Sequence, residues 1–348
     1  MFINKFIHAA DLHLGFKYKS KTLGARSEDR KNELFITFER LINYANENKI
    51  DLIVISGDLF ERDALTYTET KHMMSIIDSY YGNIVLSCGN HDYYTDDYLF
   101  NNFTENLHVF KTNSLERMDI AENVSIYGTS WLNSLENGFA LQKVILDKDR
   151  FNIASLHGDL ADGKYKIYIE PLLASGFDYI ALGHIHKHGK VAEKAYYAGS
   201  LEPLDFGELA EHGFYEVDTL SGSVKFIPFA LREFIIKEII INEEDEFQDI
   251  INKFEELNDL NDKDKNFYRI ILKGSINKDL NINRIISLVK EKFYYLEVIN
   301  NLEESLSIST DIYQKILAKA ENYPDEIRQD AIKIALKAMQ SREHYYED

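Results

Sequence analysis

Cysteine is nearly missing from this sequence: Cys88 is the single one in 348 residues. That excludes an internal disulfide framework and any zinc site built from several thiolates, so a bound metal has to be held by His, Asp or Asn. Cys88 itself reads as a small buried hydrophobe. Long apolar runs are missing as well. None approaches the roughly 18 residues of a membrane span, and Met1 to Ile7 is too short for a signal-peptide core before His8 and Asp11 interrupt it. The expectation is a cytoplasmic protein without membrane association. Basic residues are in deficit, 39 Lys and Arg against 58 Asp and Glu, for a net charge of -19. A nucleic-acid partner usually requires a basic footprint, so this charge weighs against one. It does not close the question. Metal cations hold phosphate by themselves, a partner subunit can supply a basic groove, and much of the acidity falls late, in Glu243-Glu244-Asp245-Glu246, Glu255-Glu256, Asp259, Asp262 and Asp264. Internal repeats and low-complexity segments are also lacking.

What is present is the composition of an ordinary globular enzyme, 45% hydrophobic and 28% charged. Over residues 1 to about 228, short apolar runs alternate with helical stretches, and each run ends in a polar cluster. Ile3 to Ile7 leads to Asp11, Leu52 to Ser56 leads to Gly57-Asp58, and Ile84 to Leu86 leads to Gly89-Asn90-His91-Asp92. Phe151 to Leu156 leads to His157, and Tyr179 to Leu182 leads to Gly183-His184. Short β-branched runs bounded by glycine predict buried strands, while 28–49 and 67–81 have helical period and length. The class is α/β, and in such sheets sites form beyond the carboxyl ends of strands. Beyond Pro228 the pattern becomes strand 233–241, helix 244–257, strand 267–274, helix 282–293 and strand 294–300, a small α+β domain with no cluster of candidate ligands. Two helical segments follow from Ser309, separated by Pro324. In the second, Ile327, Ala331, Ile334, Ala335, Ala338 and Met339 fall near one face, which suits either a hairpin packed on its own domain or a partner-docking helix.

Asp11, His13, Asp58, Asn90, His91, His157, His184 and His186 have the types and order to serve two divalent cations. Asp11 and His13 alternate by two, so a strand exit turns both toward one ion, and His184 and His186 do the same on an extended loop. Each motif alone is weak, but five in this order, each at a strand end, are hard to assign to turns. Two cations about 3.5–4 Å apart clamp a phosphoryl group and lower the pKa of a bridging water so that hydroxide attacks in line. A bridging carboxylate is needed, and Asp58 is the natural candidate. Nitrogen and oxygen ligands without thiolate suit manganese first, or iron or zinc, over magnesium and calcium. Asp92 and Asp159 are read either as orienting groups for the histidines or as local turn caps. Tyr93-Tyr94, Tyr98 and Phe100 suit packing better than base stacking. His8 reads as a core histidine and His188 as part of an exposed turn.

The runs "HAADLHLG", "GDLFE", "GNHD", "LHGD" and "GHIH", followed by "YAGSLEPLDFGE", resemble the calcineurin-like metallophosphoesterase superfamily. The "DLHLG" opening and the "PLDFGE" ending resemble its SbcD-type DNA repair exonuclease branch. The resemblance covers roughly residues 3 to 210. It implies a β-sandwich with flanking helices over 1–228, an α+β capping domain over 229–305 and a C-terminal helical hairpin over 306–348. It also implies one metal on Asp11, His13, Asp58 and His186 and another on Asp58, Asn90, His157 and His184. His91 would contact the scissile phosphate and protonate the leaving 3′-oxygen. The partners implied are DNA and an SbcC-type SMC-like ATPase docked on the final helices, with a homodimer as a further arrangement.

One departure stands out. Protein phosphatases of the superfamily carry Asp-Arg in a GDxxDRG run where this chain has Glu61-Arg62. By that analogy Glu61 would hydrogen-bond His91 and hold it protonated, and Arg62 would grip a phosphate oxygen with its planar fork. The alternative is a solvated loop pair. The acidic charge and Glu61-Arg62 also keep open a phosphomonoesterase or cyclic-nucleotide phosphodiesterase, and a non-catalytic scaffold for an ATPase is a third class.

Overall fold

The β-branched runs form strands in a computed structural model that describes residues 2–18, 23–133, 141, 143–161, 165–257, 263–304, 310–324 and 327–335. The chain divides into two compact units, Met1–Ile235 with Lys265–Phe267, and Ile236–Asp264 with Tyr268–Asp348.

The first unit is a sandwich of two six-stranded sheets. One runs β12-β11-β1-β2-β3-β4, with β1 at Lys5–Ala9, β2 at Leu52–Ile55, β3 at Asn83–Leu86, β4 at Leu107–Val109, β11 at Gly213–Asp218 and β12 at Val224–Pro228. The other runs β5-β6-β7-β8-β10-β9, with β5 at Glu116–Ala121, β6 at Val124–Gly128, β7 at Phe151–His157, β8 at Tyr179–Gly183, β9 at Gly189–Ala192 and β10 at Ala195–Tyr197. Strands β1, β2 and β3 are parallel, as are β6, β7 and β8. Because side chains alternate across a strand, every central strand is apolar on both faces. Phe6, Leu52, Val54 and Val85 meet Val124, Ile126, Ile153 and Ala181 between the sheets. Ile7, Ile53, Ile55, Ile84 and Leu86 face outward into a second core with helices α1 (Ser27–Glu47) and α2 (Tyr67–Asp78).

Helix α1 presents Leu34, Phe35, Phe38, Leu41, Ile42 and Ala45 at helical spacing to that core. Helix α2 starts at a capping box in which Thr66 and Glu69 satisfy each other's backbone N–H groups. The outer face of the other sheet packs Ala154, Leu156, Ile180 and Leu182 against Trp131 and Leu172. Beneath the strand ends the interface between sheets turns polar. Ser56 Oγ lies 3.1 Å from Ser155 Oγ, and Ser87 Oγ donates to Ser155 O at 3.0 Å.

The second unit contains the three-stranded sheet β13-β14-β15, with β13 at Phe234–Ile241, β14 at Phe267–Ile276 and β15 at Tyr295–Glu304. Two amphipathic helices, Phe247–Glu256 and Ile282–Lys290, bury Ile250 and Phe254, and Ile285 and Val289. The expected alternation of strands and helices in this stretch is found, with helix ends drawn in. Thr310–Ala320 is helical, as are residues 327–335 past Pro324, where Ile327 and Ile334 are exposed. Ala338 and Met339 lie outside the described residues. Among the described residues no helix is long and apolar enough to cross a membrane.

Candidate metal centre

Each of the five parallel strands β1, β2, β3, β7 and β8 runs out into a loop, and these loops meet. Backbone bonds fix their depth: Asp11 N donates to Gly57 O, and His13 N to Asp58 O, both at 3.0 Å. His184 N donates to the Asp11 carboxylate at 3.0 Å, which ties the two sheets together. Asp11, His13, Asp58 and His184 all adopt positive φ, of 53°, 48°, 53° and 98°. Non-glycine residues rarely accept that conformation, and its concentration in four candidate ligands marks a site where local strain is held by its surroundings. The glycines of the loops permit close approach. A Cβ on Gly57 would stand 2.2 Å from His157 Nδ1, and one on Gly89 would stand 2.3 Å from Asp58 Oδ1.

The seven candidate ligands gather into one cluster, with Asp11, His13, Asp58 and His157 buried and Asn90, His184 and His186 half-buried. His13 Nε2 lies 3.1 Å from His186 Nε2, with Asp11 in the same group. His157 Nε2 lies 3.1 Å from Asp58 Oδ2 and 3.2 Å from Asn90 Oδ1, with His184 close by. Asp58 Oδ2 is also 3.9 Å from His13 Nε2, so its carboxylate stands between the two groups. The partners of the other ring nitrogens decide what these contacts mean. His13 Nδ1 donates to Glu61 at 2.7 Å, His186 Nδ1 to Glu208 at 2.7 Å and His157 Nδ1 to Ser56 O at 2.8 Å. With the proton on Nδ1, each Nε2 is left as a lone pair. Lone pairs of His13 and His186 then face each other, and that of His157 faces two acceptor oxygens. Converging acceptors of this kind fit cations, and the nitrogen and oxygen donor set suits transition metals.

The surrounding carboxylates also draw a second proton onto two of these rings, the positive charge that a cation would replace. Burial works against charge on His157, but Asp58 and Asp11 beside it outweigh that and push its pKa to about 9. Burial likewise opposes charge on His186, where the Glu208 hydrogen bond and Asp11 raise the pKa to about 9. His184 is driven the other way, to about 4, by burial and by His157. Burial raises Asp11, whereas the neighbouring histidines overcome burial to lower Asp58.

His91 lies at the margin of the cluster with its ring edge-on to His13 at 4.9 Å, and its side chain is 41% exposed. Its Nδ1 donates to Glu61 Oε2 at 2.8 Å, a hydrogen bond that raises its pKa against the opposing effect of burial. Burial would raise Glu61, but its bonds to His13 and His91 outweigh it and hold the carboxyl at about 2. Glu61 therefore serves a candidate ligand with one oxygen and the candidate acid with the other.

Arg62 is placed differently from the expectation that it grips phosphate. Its guanidinium is engaged by Tyr93 O, Thr95 and Asp97, and lies over the Tyr93 ring at 4.9 Å. The backbone N–H of Arg62 donates to His91 O at 3.1 Å and its guanidinium to Tyr93 O, so Arg62 braces the loop that carries His91. Asp92 accepts from Gly89 N, Leu59 N and Asp58 N at 2.6, 2.8 and 3.1 Å, and Asp159 accepts from Ala161 N at 2.9 Å. Both carboxylates thus cap backbone N–H groups, and Asp92 joins the GNHD loop to the loop of Asp58. Tyr94 and Phe100 pack on each other, His8 bonds Tyr179 Oη inside the sandwich, and His188 stacks on Phe226. The side chain of Tyr98 lies outside the described residues. Sequence reasoning missed Glu208, the carbonyl of Ser56 and Trp131, whose Nε1 donates to His157 O at 2.8 Å. Glu208 had a visible signal, since it closes the "PLDFGE" run.

Residues 4–188, more than half of the chain, match the sequence model of a family described as calcineurin-like phosphoesterase. The chain is 28% identical over 243 residues to an uncharacterised metallophosphoesterase, YhaO, of Bacillus subtilis, covering 64% of this chain and 59% of that protein. It is 28% identical over 250 residues to a DNA double-strand break repair protein, Mre11, of Methanopyrus kandleri, covering 60% of this chain and 51% of that one. Mre11 of Saccharolobus solfataricus is 25% identical over 201 residues, covering 54% of this chain and 51% of that protein. The chain spans little more than half the length of these relatives.

Proposed function

Because this chain belongs to the calcineurin-like phosphoesterase family, we propose that it is a two-metal phosphodiesterase acting on DNA, an exo- or endonuclease of DNA repair. The observation that carries the reading is the convergence of imidazole lone pairs and carboxylates around Asp58, with His91 held beside them by Glu61. Asp11, His13, Asp58 and His186 would hold one ion, and Asp58, Asn90, His157 and His184 the other, with manganese the first choice and iron or zinc compatible. Such ions, when bound, neutralise phosphate charge and supply hydroxide near neutral pH.

The remaining chemistry belongs to the chain. Asp58 fixes the spacing of the two positions. His91 Nε2 faces away from Glu61 and donates its proton to the leaving oxygen, which needs it when that oxygen belongs to a sugar. Glu61 keeps that imidazole oriented and charged. DNA as substrate rests on the "DLHLG" and "PLDFGE" motifs and on relatives named for double-strand break repair. An SbcC-type ATPase docked on 306–348, where Ile327 and Ile334 are exposed, would supply a basic groove to a chain of charge -19. Self-association as a homodimer is part of the same proposal, as is a cytoplasmic location. The net charge favours a second reading, a phosphomonoesterase or cyclic-nucleotide phosphodiesterase.

Manganese-dependent release of nucleotides from DNA, with a His91→Ala control, tests the first reading. Inactivity on every DNA, with or without an ATPase partner, ends it. Faster turnover of p-nitrophenyl phosphate than of its bis ester favours the second.

A further inference from the structure

The "YAGSLEPLDFGE" segment contributes no candidate ligand, yet it is heavily anchored. Arg30, buried on α1, donates to Glu202 and to Pro203 O, both at 2.7 Å, and Glu202 accepts further from Thr37 Oγ1 at 2.6 Å and Leu231 N at 2.6 Å. Ser200 Oγ pairs with His212 Nδ1 at 2.8 Å, and Gly207 N donates to Asp205 at 2.6 Å. A buried charged network of this kind is a poor source of net stability and a good way to fix one conformation of a loop. What the loop delivers is Glu208. One of its oxygens accepts from His186 Nδ1 at 2.7 Å, and the other accepts from Leu204 N at 2.9 Å and faces Ser200 Oγ at 3.4 Å. Glu208 is therefore held by its own loop and in turn holds His186.

The orienting partners of the candidate ligands are unequal. His13 and His186, whose Nε2 atoms meet, each lean on a carboxylate, Glu61 and Glu208. His157 leans on a neutral backbone carbonyl, that of Ser56. A carboxylate behind an imidazole fixes its tautomer and raises its basicity, and loss of such a partner typically weakens metal binding by about 10–100-fold.

Resting on the two-metal reading above, we infer that Glu208 is a positioning residue that serves one metal position alone, the one shared by His13 and His186. It touches no substrate. Its removal weakens the binding of one ion and leaves the other in place.

Titration of the full chain with manganese chloride, followed by calorimetry, tests this without any substrate. Wild type is expected to bind two equivalents. Glu208→Ala is expected to weaken one equivalent by about 10–100-fold and keep the affinity of the second. Glu208→Gln keeps one acceptor oxygen, enough for His186 Nδ1 but not for Leu204 N as well, so it is expected to recover part of the loss, and it carries the test if the alanine variant fails to fold. Unchanged binding of both equivalents in both variants overturns the inference and leaves the two-metal reading standing. Equal weakening of both equivalents overturns it too. Fewer than two equivalents in wild type overturns the two-metal reading itself, and this inference with it.

Discussion

On the proposed reading, His91 and Glu61 divide one task. The imidazole carries the proton, and the carboxylate fixes the ring and favours its charged form. Protonation matters only when the departing oxygen is a poor leaving group. His91→Ala is therefore expected to lower DNA cleavage by about 10²–10⁴-fold, within the range of general acid catalysis, and to lower turnover of bis-p-nitrophenyl phosphate much less. Equal losses on both would assign His91 to phosphate binding. The pH dependence follows from the same pair. Glu61 raises the pKa of His91, so activity that needs the protonated ring persists to higher pH than an unassisted histidine allows. In Glu61→Gln the alkaline limb of kcat/KM on DNA is expected to move to lower pH, and an unmoved limb would show that another group sets it. The candidate ligands were legible as residues because a strand end, a glycine and a ligating side chain fall together in the chain. For Glu208 the motif was visible but the role was not, because its partner lies 22 positions away and only the folded loop joins them.

At the scale of elements, Arg62 shows how adjacency misleads. Next to Glu61 in a run like that of a phosphatase, its fork looked ready for phosphate, but chain position does not fix where a long side chain points. The segment 93–100 offers two rings and the Asp97 carboxylate, and these take the guanidinium. Arg62→Ala and Asp97→Asn are then expected to have the same effect, a fall in kcat from a loosened His91 loop, and the double variant is expected to be no worse than either. If Arg62 bound phosphate, Asp97→Asn would free it and lower KM instead. The central strands were readable from β-branched runs that are apolar on both faces. The edge strand Glu116–Ala121 was not, since its alternation of exposed and half-buried residues carries a polar sequence.

For the whole molecule, the cluster concentrates an energetic cost. Four residues in strained backbone and several buried carboxylates meet where two sheets end. A cation bound only by the folded chain offsets that cost, by about 2.7 kcal/mol at a concentration 100 times its Kd. Adding manganese to chelator-treated protein is expected to raise Tm on the order of 5–10 °C, read by scanning calorimetry. No change in Tm would mean that the strain is balanced without an ion. The acidic surface predicts a separate response: extra salt is expected to relieve self-repulsion in a chain of charge -19, with or without manganese.

The hydroxyls of Ser56, Ser87 and Ser155 bridge the two sheets directly under these loops. Sliding one sheet along the other would break those bonds in the same motion that separates Asp58 from His157. Shear across the sandwich and distortion of the reacting geometry are thus a single movement. The spacing across the candidate site is tied to a buried hydrogen-bonded layer, and deuterium uptake at the ends of β2 and β7 is expected to report on it before any substrate is added.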